Sequence, residues 1–263
     1  MNQQLIEALN TWPHWQVEQR RPPIYVYELT SGLTNKSHLV CIGERYYVIR
    51  LNAQDHSALA INRLHEHIIV EKLSSYKLCP KIVYPKAHIV ERDQRFTVFE
   101  YVDGRTWDNH DFVDRSNQQR LLQTIETYQQ LVVNIPVFDY LRCVHNYWEA
   151  IIQRDIMLNA DVVAAYTVFC QRLDLFLKNS YTPVLSHHDL VPDNIIETQQ
   201  GLMILDWEYA SMGHPDFDRM YIQKYTSGSL DMQTSTVDIL KINVKSPIEQ
   251  LVNWLNYLWL MLR

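Results

Sequence analysis

VLSHHDLVPDNIIETQQGLMILDWEYASMGHPDFDRM, residues 184–220, brings Asp189, Asn194 and Asp206 into one stretch, with Asn194 five positions after Asp189 and Asp206 twelve after Asn194. Phosphoryl transfer needs three such oxygen-bearing groups. One orients and deprotonates an attacking hydroxyl, and two hold magnesium on nucleotide phosphates. Asp189 suits the first role, and Asn194 and Asp206 the other two. H-x-D-x-x-x-x-N is a specific string, and Pro192 stiffens the turn inside it. Asp206 ends the apolar run LMILD, so its carboxylate sits just past a strand, rigidly held yet open to a cleft.

Each residue also has a plainer reading. An aspartate at Asp189 can cap a helix or brace a turn, and Asn194 can bond backbone. His187 and His188, with Asp206 and His214, suggest a hydrolase metal site as an alternative. Against it, magnesium prefers oxygen ligands, and His187 reads as a brace for the loop. Asp216 and Asp218, in HPDFDRM, read as stabilisers behind that loop.

Around this stretch the chain is that of an ordinary globular protein. It has 263 residues, 47% of them hydrophobic and 21% charged, enough to bury a core without disulfides or structural metal. A net charge of −6 and a pI near 6.0 argue against a nucleic-acid partner. The 4 cysteines are scattered, with no C-x-x-C pair, which fits a reduced, cytoplasmic setting. The N-terminus lacks the pattern of a secretory signal. Leu251–Leu262 is too short and too interrupted by Asn253 and Asn256 to insert in a membrane, and reads as a C-terminal helix packed on the body. The oligomeric state is left open.

The chain falls into two halves. Residues 2–10 read as helix. YVYELT, SHLVCIG and RYYVIRL are β-rich runs separated by Ser31-Gly32 and Gly43-Glu44, the pattern of an antiparallel meander. Leu59, Leu64, Ile68 and Leu73 recur at helical spacing over 57–73. AHIVE and RFTVFEYV read as two further strands, with a turn at 92–94. After Asp103-Gly104 the chain turns helical, over 115–134, 145–158 and 161–179, before the short strands of the opening stretch.

HHDLVPDN followed by ILDWEYA resembles the choline/ethanolamine kinase and thiamine kinase branch of the aminoglycoside phosphotransferase-like superfamily. That resemblance implies an α+β, protein-kinase-like two-lobe fold. A small antiparallel-sheet lobe with one helix (1–102) would bind nucleotide, and a larger, mainly helical lobe (103–263) would carry catalysis and the acceptor. Carried across by position, Asp189 is the base, Asn194 and Asp206 hold Mg2+, and His187 braces the catalytic loop. D-W-E-Y-A resembles the small-molecule kinases rather than the D-F-G of protein kinases.

The remaining parts of a nucleotide site then have places to be sought. SGLTNKSHLV would lie over the ATP phosphates through Ser31, Gly32, Thr34, Asn35 and Ser37, although it holds one glycine only. Arg50, on the strand YYVIRL, would pair with phosphate, positioned by Glu66, with Glu71 as runner-up. Backbone groups of Glu100–Val102 would meet the adenine edge. Tyr147, Trp148, Trp207, Glu208 and Trp254 are the candidate walls for a small cationic acceptor. The expected activity is ATP- and Mg2+-dependent phosphorylation of a hydroxyl on a small, cationic metabolite. Choline or ethanolamine comes first, then thiamine, then an aminoglycoside or sugar. A metal-dependent hydrolase and a non-catalytic nucleotide-binding scaffold are the alternatives of a different class.

Overall fold

The computed structural model describes residues 2–29, 35–52, 61–90, 94–226 and 246–262. In chain order the elements begin with α1 (Gln3–Asn10), β1 (Ile24–Leu29), β2 (Lys36–Ile42), β3 (Arg45–Leu51), α2 (Arg63–Ser74), β4 (Ile82–Tyr84), β5 (Phe96–Glu100) and β6 (Arg105–Thr106). They continue with α3 (Asn109–Val113), α4 (Arg115–Gln129), α5 (Tyr140–Gln153), α6 (Ala160–Leu177), β7 (Val184–Ser186), β8 (Ile195–Thr198), β9 (Gly201–Ile204), β10 (Ser211–Gly213), α7 (Phe217–Thr226) and α8 (Pro247–Met261). The described residues form two compact units that alternate along the chain. One comprises those up to 52, those in 61–108 and 191–210; the other comprises 109–190, 211–226 and 246–262.

The first unit is built on an antiparallel sheet of order β1-β2-β3-β5-β4. Side chains alternate between the faces of a strand. Val40, Ile42, Tyr47, Ile49, Leu51 and Val98 therefore share one face, where they bury Leu5 and Ala8 of α1 and Trp15. The opposite face carries Arg50, whose register neighbours are Ser37 on β2 and Thr97 on β5. Helix α2 starts at a proper cap, since the Asn62 side chain accepts from the N–H groups of Leu64 and His65. Of the helix expected over 57–73, residues 57–60 lie outside the described residues.

Of the strand expected at 87–91, residue 91 lies outside the described residues, and 87–90 form no strand. Ile82–Tyr84 pairs with β5 instead, Ile82 opposite Phe99 and Tyr84 opposite Val98, and Ala87–Ile89 makes a short 3-10 turn. Burial decides this. Ile82 and Val83 lie in the interior and the Tyr84 ring stacks on Phe96, whereas His88 and Ile89 are exposed. The unit also holds a three-stranded sheet of order β6-β8-β9.

The second unit is mainly helical. Helices α4, α5 and α6 each begin on a side-chain cap, from Asp114, Asp139 and Asn159 respectively. The Asp139 cap starts α5 five residues earlier than its apolar pattern predicts. Helix α3 was not expected. Helix α8 buries Leu251, Val252, Trp254 and Leu258 and packs on α5, α6 and α7, as the tail's composition predicts. β7 pairs antiparallel with β10, Ser186 opposite Ser211, and the chain leaves β7 directly into His187–Asp189. Among the described residues, no helix is long and apolar enough to cross a membrane.

Candidate active site

The first unit concentrates charge beneath its sheet. Arg50 is almost fully buried and supported from three sides. Its Nε donates to Asn52 Oδ1 at 3.0 Å, and its Nη1 donates to Asp206 Oδ1 at 2.9 Å. Its Nη2 lies 2.6 Å from Glu66 Oε1 in a close ion contact. The Phe99 ring lies 5.2 Å from the guanidinium, within cation–π range. Arg63, one turn before Glu66 on α2, donates from Nη1 to both Glu66 Oε2 and Glu208 Oε2, each at 2.8 Å. Asn35 Nδ2 donates to the same Glu208 oxygen at 2.9 Å.

Burial alone would push the Glu66 carboxyl up, but Arg50 and Arg63 outweigh it and hold Glu66 below the ordinary carboxylate range. Burial works against the charged guanidinium of Arg50 too, and Glu66, Asp206 and Glu208 overcome it and raise its pKa. Two cations thus face three carboxylates. The Glu66 and Glu208 side chains are 4% and 1% exposed, whereas that of Asp206 is 31% exposed. Of the three carboxylates, Asp206 is therefore the one that reaches solvent.

Hairpin β8–β9 explains the spacing of twelve between Asn194 and Asp206. Ile195 pairs with Ile204, so the two chains leave the hairpin at the same end. There the Asn194 carbonyl accepts from the Leu205 N–H at 2.7 Å, one residue before Asp206. Asp206 adopts a left-handed backbone, φ 57° and ψ 63°, which aspartate tolerates better than most residues. Such conformations persist where surrounding contacts over-determine them, and the Arg50 contact is one of these. An oxygen-rich pair at the end of a rigid hairpin, with net negative charge, fits a hard divalent cation that keeps water and phosphate as further ligands.

The second unit carries Asp189. His187 is fully buried, and its Nδ1 accepts from the Asp189 N–H at 3.2 Å. The buried Asp218 carboxylate holds the same loop. It accepts from the N–H groups of His187 at 2.8 Å and His188 at 3.0 Å, and from the Tyr128 hydroxyl at 2.7 Å. Burial raises the Asp218 pKa above its ordinary value even though these donors and His187 oppose it. Burial, with Asp218 close by, also pushes the Tyr128 phenol well above its ordinary range and keeps it a donor.

His188 has φ 67° and lies among Phe138, Tyr140 and Phe217, with its Nε2 2.9 Å from Tyr140 Oη. Tyr140 Oη also accepts from the His214 N–H. Gly213 is needed here, because a Cβ would come within 2.5 Å of Tyr140 Oη and 2.6 Å of His188 Nε2. His187 and His188 are thus engaged in holding the loop. Among the described residues, no three His, Cys, Asp or Glu side chains form a metal-binding group.

The other expected residues fall as follows. Ser31, Gly32 and Thr34 lie outside the described residues. Ser37 sits opposite Arg50 in the sheet. The Glu100 N–H bonds to Lys81 O and the Tyr101 N–H to Tyr46 O, which leaves the expectation for Glu100–Val102 to the Glu100 carbonyl and the Val102 backbone. Tyr147, Trp207 and Trp254 are buried. Trp207 Nε1 donates to Ile204 O, Trp254 stacks on Phe169, and Trp148 stacks on Tyr166 with centroids 3.8 Å apart. Glu208 is held by Arg63 and Asn35. Sequence reasoning missed Arg63, Tyr128, Tyr140 and Phe138. None carries a motif, although Arg63 lies one turn from Glu66, where a second cation on the same helix face was visible.

The chain matches the model of the phosphotransferase enzyme family over residues 26–234. It is 24% identical over 215 residues, 81% of this chain and 78% of the relative, to Protein LicA homolog of Mycoplasma capricolum. Among solved structures it is similar to choline kinase LicA from Streptococcus pneumoniae, with TM-score 0.71, 18% identity and coverage of 98% of this chain and 90% of that one. LicA in complex with AMP gives TM-score 0.69, 18% identity and coverage of 98% and 88%. With its buried Arg50–Glu66 pair, its hairpin of Asn194 and Asp206 and its braced Asp189 loop, the chain belongs to the phosphotransferase enzyme family.

Proposed function

We propose that this enzyme transfers the γ-phosphoryl group of ATP, with Mg2+, to the hydroxyl of a small cationic alcohol, of the choline or ethanolamine kind. The observation that carries the reading is the cluster of Arg50, Glu66 and Asp206, in which Asp206 is the carboxylate that reaches solvent. The similarity to a choline kinase and to LicA bound to AMP supports the acceptor and nucleotide classes.

In this reading Asp189 accepts the proton of the acceptor hydroxyl and fixes its direction of attack. Asn194 and Asp206 would hold Mg2+, which when bound neutralises charge on the nucleotide phosphates. Arg50 pairs with phosphate as a rigid cation, and Glu66 keeps it extended. Ser31, Gly32, Thr34, Asn35 and Ser37 cover the phosphates, and the backbone of Glu100–Val102 receives the adenine. Asp218 and Tyr128 position the base through the backbone of His187 and His188. The rate enhancement is then mostly positioning and electrostatics. Of the five candidate acceptor walls, the half-buried Trp148 is the one we assign to the cation. Four free cysteines suit a cytoplasmic enzyme.

The test is ADP release by the whole chain with choline, ethanolamine, thiamine, kanamycin or glucose. Choline or ethanolamine should stand at least about tenfold above the rest in kcat/KM, the scale on which a desolvated cation–π contact discriminates. Release with kanamycin or thiamine alone would refute the acceptor class, and release with none would refute the reading.

A further inference from the structure

Glu208 is two residues beyond Asp206, and its side chain does not face solvent. Its Oε2 is the meeting point of two donors from distant parts of the first unit, Arg63 Nη1 on α2 at 2.8 Å and Asn35 Nδ2 at 2.9 Å. Asn35 immediately precedes β2, in the segment expected to contact phosphates. Arg63 Nη1 continues to Glu66 Oε2, and Glu66 meets Arg50, which returns to Asp206. The five charged groups therefore close a ring that starts and ends on the Asp206–Trp207–Glu208 turn. Arg50 grips one end of that turn and Arg63 the other. Trp207 is clamped between them, with its Nε1 bonded to Ile204 O.

A left-handed residue such as Asp206 persists where the surrounding structure over-determines it. Arg50 by itself holds one end. In the proposed function it also pairs with phosphate, so it serves two partners. Arg63 has no such second duty. Its side chain is 2% exposed, and it is bonded to two carboxylates through one nitrogen.

We infer that Arg63, Glu208 and Asn35 form a positioning strut that keeps Asp206 in its metal-holding conformation and ties it to the start of β2. Glu208 is thereby a positioning residue of the nucleotide half of the site and not a wall for the acceptor. The inference rests on Asp206 acting as the metal carboxylate.

The strut is tested on the whole chain with Glu208→Gln, Arg63→Gln, Arg63→Lys and the double variant Arg63→Met/Glu208→Leu. Three quantities are read: the Mg2+ concentration for half-maximal ATP binding, KM for choline, and hydrogen exchange of the amides at 35–38 and 207–209. Glu208→Gln and Arg63→Gln should each raise the Mg2+ requirement at least about tenfold, as loss of a charge-assisted bond does, with KM for choline within about twofold. Exchange should rise in both amide groups together. Arg63→Lys should recover part of the loss, because an ammonium keeps the charge without the planar fork. The double variant separates positioning from simple stability: its melting temperature reads what is lost when Glu66 and Asn35 each lose a partner, and its Mg2+ requirement should stay raised when assayed well below that temperature.

The inference is overturned if Glu208→Gln raises KM for choline and leaves Mg2+ unchanged, if neither single variant moves the Mg2+ requirement, or if the double variant restores it. Wild type that binds Mg2+ and ATP but does not phosphorylate choline would refute the acceptor class alone. Wild type that binds no nucleotide would refute the proposed function, and the exchange of the two amide groups would still decide the strut.

Discussion

Asp218→Asn is the most informative single change, because it alters a brace without touching the proposed reacting groups. The carboxylate accepts three bonds, two to one oxygen and one to the other. Asparagine offers one acceptor oxygen and turns an NH2 towards a donor. The variant therefore loses one or two charge-assisted bonds, each worth about 1.5–3 kcal/mol. Removing a buried charge offsets part of this, and a net loss of about 1–3 kcal/mol at neutral pH remains.

The pH dependence follows from the raised Asp218 pKa. Between the ordinary value of 3.8 and the raised folded value, the folded chain holds a proton that the unfolded chain has released. Wild-type stability from this group is therefore present at low pH and falls as pH rises through that window. Asparagine has no such slope, so the deficit of the variant should shrink as pH rises from the ordinary value through the raised one.

A displaced Asp189 lowers kcat on the scale of about a hundredfold per ångström. KM for ATP should stay within about twofold, because Asp218 makes no bond to Arg50, Glu66 or Asp206. Urea unfolding at several pH values and coupled ADP release with choline measure both effects. A variant with wild-type kcat, or a deficit that grows with pH, would refute the bracing argument.

Asp189→Asn should reduce ADP release with choline by about 10²–10⁴-fold, the range of general-base loss, while thermal stabilisation by Mg2+ and ATP persists. Glu66→Gln breaks a buried pair and should cost about 3–5 kcal/mol. Because Glu66 is held below the ordinary range near 4.5, its contribution is present above that value and lost as pH falls through the folded pKa, and acid unfolding of the variant should show a shallower limb. Gly213→Ala should destabilise by about 1–3 kcal/mol through overpacking against Tyr140 and His188, and Tyr140→Phe should relieve part of that loss in the double variant, as read by melting temperature.

The strands β1 to β3 were legible because alternation and turn residues mark them locally. The apolar tail declared its helix for the same kind of reason. AHIVE misled because its residues have strand propensity, while the place beside β5 went to IVY, whose side chains are the ones buried. The start of α5 was hidden because its signal is the capping Asp139 and not the apolar period. Spacing marked Asp189, Asn194 and Asp206 as candidates, and the Arg50–Glu66 contact was expected from the order of the two residues relative to the strands. Tyr128 was not, since it acts on a residue 90 positions away, and of the contacts of Arg63 only the one to Glu66, one turn on, is local, while that to Glu208 spans 145 positions.

By itself the sequence marked β1 to β3, the C-terminal helix and the spacing of Asp189, Asn194 and Asp206, because periodicity and motif spacing are properties of neighbouring residues. Only the tertiary structure decided which carboxylates are buried as partners and which one is left to meet solvent. Asp206 and Glu208 stand two residues apart in the same short turn, and their different surroundings follow from what α2 and β3 bring to them. Arg63 and Asn35 close over Glu208, and Arg50 leaves Asp206 partly open. A carboxylate becomes a strut or a metal ligand by its burial and its partners, and those are set by chain segments that lie far away in sequence.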